Sequence, residues 1–390
     1  MKRALFWGSG ALLAYTYLGF PALVLLRARL RPRPYLTDDI EPTVTVVVAA
    51  HNEQDVIEEK VANLLELDYP ADRLEIVVAS DGSDDRTVEL AQRHGNQRIH
   101  VIDLPRVGKA GALNRAVALA HGEIVVFSDA HSMFVREAVR ELVRPFADPA
   151  VGGVAGDRIY SASHDGVSHD GDASVLGERR YWDFDRVMKT AQSRAGSVSG
   201  ASGAIHAVRR TLLDEIRGDV NDDLFISLRV VDKGYRLVFA PGAVAYEAVV
   251  PSAAETFSRR VRVMVRGFRC VGVVRGVLDV RRHGFFSVQL FSHKVLLRVA
   301  AFPLAALAVT SVLLARRGGV YRAAAVGQTA FYALGATGIA FAHKPWSRSK
   351  VLALPAYFCL VNAASVVAVW HLVRRRPFER WAPGRRADTK

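Results

Sequence analysis

Thr43-Val44-Thr45-Val46-Val47-Val48-Ala49-Ala50-His51-Asn52-Glu53 runs eight residues without a charge and then turns abruptly polar. A short β-branched run of this kind reads as a strand buried on both faces, with its exit reaching solvent. The pattern recurs downstream. Strands are expected over 43–50, 74–80, 99–103 and 124–128, and amphipathic helices over 53–67, 85–94, 109–120 and 136–146. Apolar strands alternating with helices indicate an α/β domain with a mostly parallel, Rossmann-like sheet covered on both sides. Such sheets bind ligands at the carboxyl ends of their strands. His51, Asn52 and Glu53 follow the first strand, Asp81 the second and Asp129 the fourth, so these residues are candidates for a site rather than a core.

Several chemistries are excluded. The first turn, Ala49-Ala50-His51-Asn52-Glu53, lacks the glycine fingerprint of a dinucleotide site, and no Gly-x-x-x-x-Gly-Lys-Ser/Thr loop occurs anywhere. Two cysteines, Cys270 and Cys359, cannot make a disulfide framework or a cysteine-rich zinc fold. Half of the 390 residues are hydrophobic, which rules out a disordered chain. The formal net charge of +13 suggests nucleic acid at first sight, but its placement beside long apolar runs points to a membrane surface and no nucleic-acid partner.

Charge-free runs cover residues 4–26, 299–315, 323–342 and 351–370. Roughly 20 apolar helical residues span a hydrocarbon core of ~30 Å. The first run exits into Arg27, Arg29, Arg31 and Arg33 with no small-residue cleavage site, which reads as an anchor with its C-terminal end in the cytoplasm rather than a signal peptide. One N-terminal and about three C-terminal spans are therefore expected, although four crossings would put the basic tail outside, against the positive-inside rule. The run 299–315 is short and contains Pro303. Between Ser258 and Arg298 there are ten Lys or Arg and one acid, Asp279. Arg259, Arg262, Arg266 and Arg269 share one helical face, opposite Val261, Met264, Val265 and Phe268. This predicts a helix lying on an anionic bilayer with its apolar side among the headgroups, and Phe285, Phe286 and Phe291 as further interfacial anchors. The expected organisation is an anchor (1–26), a basic linker (27–42), the α/β domain (43–257), an interfacial segment (258–298), membrane helices (299–373) and a basic tail (374–390). Residues 161–176 read as a loop whose His164 and His169 are solvated.

Asp81-Gly82-Ser83-Asp84-Asp85 ends a strand in a carboxylate, a tight turn and a helix cap, with Ser83 or Asp84 as the capping residue. A carboxylate at that tip can also accept hydrogen bonds from a nucleobase or ribose. Asp129-Ala130-His131 repeats the arrangement with an oxygen and an imidazole two residues apart, a pair suited to holding a divalent ion against a diphosphate. Asp222 and Asp223 open a helix whose dipole stabilises them, either as helix-start acids alone or with one of them as a base.

Taken in order, Ala49-Ala50-His51-Asn52-Glu53, Asp81-Gly82-Ser83, Gly108-Lys109-Ala110-Gly111-Ala112-Leu113-Asn114, Asp129-Ala130-His131, Gly200-Ala201-Ser202-Gly203-Ala204, Asn221-Asp222-Asp223 and Arg259-Arg260-Val261-Arg262 resemble the family 2 inverting glycosyltransferases, in their membrane-embedded branch of cellulose-, hyaluronan- and poly-N-acetylglucosamine-synthase-like proteins. Ser292-His293-Lys294-Val295-Leu296 also looks like this branch. The resemblance implies a GT-A fold, a nucleotide-sugar donor (most often UDP-linked), a glycan or lipid-linked acceptor, and Mg²⁺ or Mn²⁺. It implies that Asp81 meets the base, that Asn52 and Glu53 line the nucleotide pocket, and that Lys109 and Asn114 lie along the donor. Asp129, with His131, would hold the metal, Arg260 and Arg262 would meet the diphosphate, and Ser202 and Gly203 would lie on the acceptor side. Asp223 would be the base, with Asp222 as the second choice. His131 replaces the family's second metal-motif Asp, and imidazole suits Mn²⁺ better than Mg²⁺. Val263 stands where the family carries a Trp, so the surface on which an acceptor sugar would stack is missing, which weighs against long processive synthesis. A non-catalytic nucleotide- or glycan-binding membrane subunit of a polysaccharide-export complex is the alternative from another class.

Overall fold

A computed structural model describes residues 1–161, 173–248, 253–342 and 344–374. Eight strands form one sheet: β1 (Val44–Ala50), β2 (Leu74–Asp81), β3 (Ile99–Leu104), β4 (Ile124–Asp129), β5 (Ser132–Phe134), β6 (Val151–Ser161), β7 (His206–Arg209) and β8 (Arg236–Ala248). Their order is β3-β2-β1-β4-β7-β6-β8-β5. β1 to β4 are parallel, and β6 pairs parallel with β8. β7 runs against β4 and β6, and β5 runs against β8. The first four strands fall within a residue of the sequence expectation. The second half of the sheet was not anticipated, because β6 and β8 are interrupted by glycine or proline and β5 and β7 are only three and four residues long.

The pleat sorts β1 between two cores. Val44, Val46, Val48 and Ala50 pack with Ile57, Val61, Leu64 and Leu142 on one face. Val47 and Ala49 pack with Leu113, Ala116, Phe127, Leu224 and Leu228 on the other. Each fully buried Val, Ile or Leu contributes roughly 1.5–3 kcal/mol. The second face carries the helices Lys109–Leu119 and Asp222–Asp232, so both N-termini arrive at the same edge of the sheet.

Helix Lys2–Leu30 and helix Lys350–Val373 are long and apolar enough to cross a membrane. Phe285–Val299 and Ala301–Arg317 make a third such element only if they form one span bent by 52°. Helix Gly319–Ala340 covers most of the expected run 323–342 but is not among these candidates, so about three C-terminal spans become one or two by this measure. Its Gly335 and Gly338 lie directly against Pro355, Cys359, Leu352 and Ala356, a close approach through small residues. In the N-terminal helix a π-turn at Tyr15–Gly19 precedes Pro21, whose ring would clash with the carbonyl one turn earlier.

Helix Ala253–Val273 is amphipathic as expected, but its apolar face is not open to headgroups. Val261, Met264 and Val265 are buried against Ala364 and Ala368 of helix Lys350–Val373. The arginine face turns instead to the α/β domain, where Arg259 pairs with Glu247 and Arg266 donates to the Gly218 carbonyl. Of the three expected aromatic anchors, Phe291 is exposed, whereas Phe285 stacks under Arg27 and Phe286 packs on the core. The N-terminal helix docks through Phe20 and Val24 on Met188 and Ala191 of helix Ala173–Ala195. His164, His169 and the tail from residue 375 lie outside the described residues.

Candidate active site

Gly108, at φ +84°, starts helix Lys109–Leu119 and sends Lys109 across the tip of β4. Its Nζ lies 2.7 Å from Asp129 Oδ1 and 3.0 Å from Asp222 Oδ2. One cation thus joins the strand-end carboxylate to the helix-start pair. Burial alone would raise the Asp129 carboxyl, but Lys109 and then His131 outweigh it and hold it at about 2. Burial opposes the charge on Lys109, and the two aspartates more than reverse this, lifting its pKa above that of an ordinary lysine. Asp223 behaves oppositely: burial and the neighbouring Asp222 push its carboxyl up.

His131 is held by Glu247, 3.0 Å from its Nε2. Glu247 is 2% exposed and also takes Arg158 at 3.2 Å and Arg259 at 3.4 Å. Burial would raise Glu247, but Arg158 leads a set of cations that drives it well below the usual range. The same pair raises His131 against its own burial. Glu247 escaped the sequence reading, and its signal was a single acid inside the apolar run Val244-Ala245-Tyr246-Glu247-Ala248. His206 was also missed. It is buried beneath the cluster, stacks on Phe127 and bonds the Ser202 carbonyl at 2.9 Å, and burial lowers it to about 4.

The remaining candidates divide. Glu53 is half-buried near Asp129 and His131, and burial raises its carboxyl. Arg262 is half-buried and is influenced by both Asp129 and Asp222; burial, then Arg259 and Arg266, lower its pKa. Gly203 lies close under the carboxylate, since a Cβ there would come within 3.1 Å of Asp129 Oδ2. Ser202 is 6% exposed and its hydroxyl accepts from the Ala204 N–H, so it shapes this turn from inside.

Asp81 is fully buried. Its Oδ1 accepts from the backbone N–H groups of Val107 and Gly108, both at 2.7 Å, and Arg106 lies 3.0 Å from Oδ2. The carboxylate therefore moulds the loop that presents Lys109. Asn52, at φ +55°, clasps the neighbouring turn: its N–H donates to Ser83 and its Oδ1 accepts from Asp84. The helix after this turn begins at Thr87 with Arg86 as its N-cap residue, and Asp85, rather than Ser83 or Asp84, accepts from the Thr87 N–H.

Two further candidates are engaged by other parts of the protein. Both ends of the Asn114 amide are taken by the backbone of Ile216, at 2.9 and 2.8 Å. Arg260 meets a membrane-helix tyrosine. It donates to the Tyr357 hydroxyl and lies over that ring, which ties helix Ala253–Val273 to helix Lys350–Val373.

A divalent ion fits this donor set in one way. Among the described residues Asp129 Oδ2 takes no hydrogen bond, and His131 retains Nδ1. Among the described residues no three His, Cys, Asp or Glu side chains converge into an all-protein cage. An ion here would draw its other ligands from phosphate and water, the usual habit of Mg²⁺ and a workable one for Mn²⁺.

Residues 45–217 match the glycosyl transferase family 2 profile. The chain carries a family 2 glycosyltransferase domain. Its fold is GT-A. Poly-beta-1,6-N-acetyl-D-glucosamine synthase from Staphylococcus aureus (strain MSSA476) is 27% identical over 248 residues, covering 61% of this chain and 57% of its own length. Probable glycosyltransferase YdaM from Bacillus subtilis (strain 168) is 27% identical over 223 residues, covering 53% and 50%. The chain thus spans little more than half the length of these relatives. Among solved structures, mannosyltransferase PcManGT from Pyrobaculum calidifontis, in complex with GDP-Man and Mn²⁺, aligns with a TM-score of 0.68 at 28% identity, over 95% of this chain and 99% of that one. Within the transferase domain the Lys109 cluster occupies the strand-end edge where such sheets bind ligands.

Proposed function

We propose that this protein is a membrane-bound inverting glycosyltransferase that moves a sugar from a nucleotide-sugar to a hydroxyl of a glycan or lipid-linked acceptor, in polysaccharide or glycolipid synthesis. The observation that carries the proposal is Lys109 bridging Asp129 and Asp222 at the strand tips. The family resemblance implies a UDP-linked donor, and PcManGT was solved with GDP-Man, so both belong in the test. In this reading the two or three apolar helices hold the protein in a membrane, and the basic stretch Arg27–Arg33 supports a cytoplasmic transferase domain.

The cluster separates two roles. Asp222 is neutralised by Lys109 and serves to position that cation. Asp223 has no cation in contact among the described residues, and its raised carboxyl makes it the better proton acceptor. It takes the acceptor hydroxyl's proton as that oxygen attacks the anomeric carbon, a single displacement that inverts the centre. A divalent ion held by Asp129 with His131 would neutralise charge on the leaving diphosphate. Lys109 and Arg262 add fixed positive charge on the same side, from two different helices.

The test is nucleotide release by full-length protein in nanodiscs, over a panel of UDP- and GDP-sugars with Mg²⁺ or Mn²⁺ and extracted acceptor lipids. Release with one donor is expected to disappear on chelation and to fall by roughly 10²–10⁴-fold in Asp223→Asn. No release from folded protein across the panel would favour the non-catalytic membrane subunit. Equal rates for wild type and Asp223→Asn would move the base elsewhere.

A further inference from the structure

A cavity of about 510 Å³ lies behind the transferase domain, between the N-terminal helix and the segment leading into the bent membrane element. Leu12 and Tyr15 form one wall, and Leu278, Val280, Val288 and Phe291 form the other. Its few polar groups are already satisfied within the protein. The Tyr15 hydroxyl bonds Ser292 Oγ at 2.8 Å, and Ser287 Oγ donates to the Val277 carbonyl at 2.8 Å. The space offers a ligand hydrocarbon contact and almost nothing else. Its volume falls within the range of small-molecule sites, and an apolar space of this kind holds water poorly.

The rim has a different character. Val280 and Phe291 are 55% and 48% exposed at the edge of the cavity. Arg275, Arg281, Arg282 and His283 surround Val280 in sequence, with Asp279 as the only acid among them. The Asp279 carboxylate is taken by the Arg281 N–H, and Arg282 is tied to Asp232. Among the described residues the side chains of Arg275 and Arg281 have no partner. Exposed apolar residues interleaved with free guanidinium groups, beside an apolar cavity between two candidate membrane elements, match an anionic lipid in both of its halves.

We infer that this cavity is a binding site for an anionic membrane phospholipid, with an acyl chain between Leu12 and Val288 and the phosphate on Arg275 and Arg281. The site is distinct from the transfer centre. Gly276 packs against Asp232, at the far end of the helix that Asp222 begins, and ten residues of helix separate the two by about 15 Å. Its consequence lies in the π-turn Phe291–Leu296. Phe291, Ser292 and Leu296 line the cavity, while Lys294 of the same turn lies against Gly200 of the active-site loop. A bound lipid would hold this turn in place from the side away from the substrate.

The test uses full-length protein in phosphatidylcholine nanodiscs doped with phosphatidylglycerol bearing a diazirine at the end of one acyl chain, with crosslinks mapped by mass spectrometry. Crosslinks should concentrate on peptides containing Leu12–Tyr15 and Val288–Leu296, and unlabelled phosphatidylglycerol should displace them better than phosphatidylcholine. Val288→Trp, which fills the cavity, should abolish this labelling, and Arg275→Glu with Arg281→Glu should remove the preference for phosphatidylglycerol. Labelling spread evenly over exposed residues such as Leu18, Leu23, Val309 and Val320 would overturn the site. Labelling at the cavity that both lipids displace equally would overturn its anionic character. If Val288→Trp does not fold, the double arginine variant, altered only at exposed positions, still decides.

Discussion

Asp222 and Asp223 are adjacent in the chain, yet the structure gives them opposite electrostatic surroundings. Lys109 sits 3.0 Å from Asp222, while burial and Asp222 itself lift the Asp223 carboxyl above its ordinary range. A base must be ionised to accept a proton, so a raised pKa places the loss of activity at higher pH than for a free aspartate, whose pKa is about 3.9. kcat/KM should be flat above the Asp223 pKa and fall about tenfold per pH unit below it. Asp223→Asn should abolish this acid limb along with most of the rate. A limb that persists in the variant would assign it to another group. Glu247 yields a stability prediction. Removing its charge leaves Arg158 and Arg259 facing a neutral buried amide, and breaking a buried ion pair costs about 3–5 kcal/mol. Glu247→Gln should therefore lower the denaturation midpoint markedly in a detergent melt, and an unchanged midpoint would show the cluster to be solvated.

At the scale of elements, the site depends on loops clasped from behind. Asp81 moulds residues 106–108, Asn52 holds residues 83–84, and Asn114 holds Ile216 just ahead of the acid pair. The sequence singled out these residues correctly as unusual polar groups at strand and helix ends. It could not say whether they face a ligand or the backbone, since a side-chain amide or carboxylate suits either partner. Helix Ala253–Val273 shows the same limit. Its periodicity was legible, but periodicity identifies an apolar face without identifying what covers it. Ala364 and Ala368 are fully buried against Val261 and Val265, leaving no room for a larger side chain. Ala364→Leu should overpack this contact at a cost of typically 1–3 kcal/mol, while Val366→Leu, on an exposed position of the same helix, should be nearly neutral. Comparative melts of the two variants check this, and equal melts would argue against the packed interface.

At the scale of the molecule, the transferase domain sits between an N-terminal helix that docks on helix Ala173–Ala195 and a C-terminal helix that roofs the arginine helix. Both ends of the described chain therefore grip the domain, and the membrane elements position it rather than merely tethering it. With the domain on the cytoplasmic side, protease added to inside-out vesicles should cleave exposed loops such as that near Arg106, and protease added to right-side-out vesicles should leave them intact. The reverse pattern would invert the proposed orientation.

The sequence alone determined the first four strands, the fold class, the family resemblance and the presence of apolar membrane elements. All of these rest on local composition and spacing, which the chain carries in every conformation. Asp129 was also named in advance from its place at a strand tip, and Lys109 and Asp223 from the family resemblance. Only the tertiary structure decided that Lys109 joins Asp129 to Asp222 and that Glu247, 116 residues from His131, belongs to the site. It also joined the Asn114 amide to Ile216 and Arg260 to Tyr357, and covered the apolar face expected to meet lipid. These outcomes depend on contacts between segments far apart in the chain. Such contacts are chosen by how the two faces of the sheet pack their helices, and no local pattern encodes that choice.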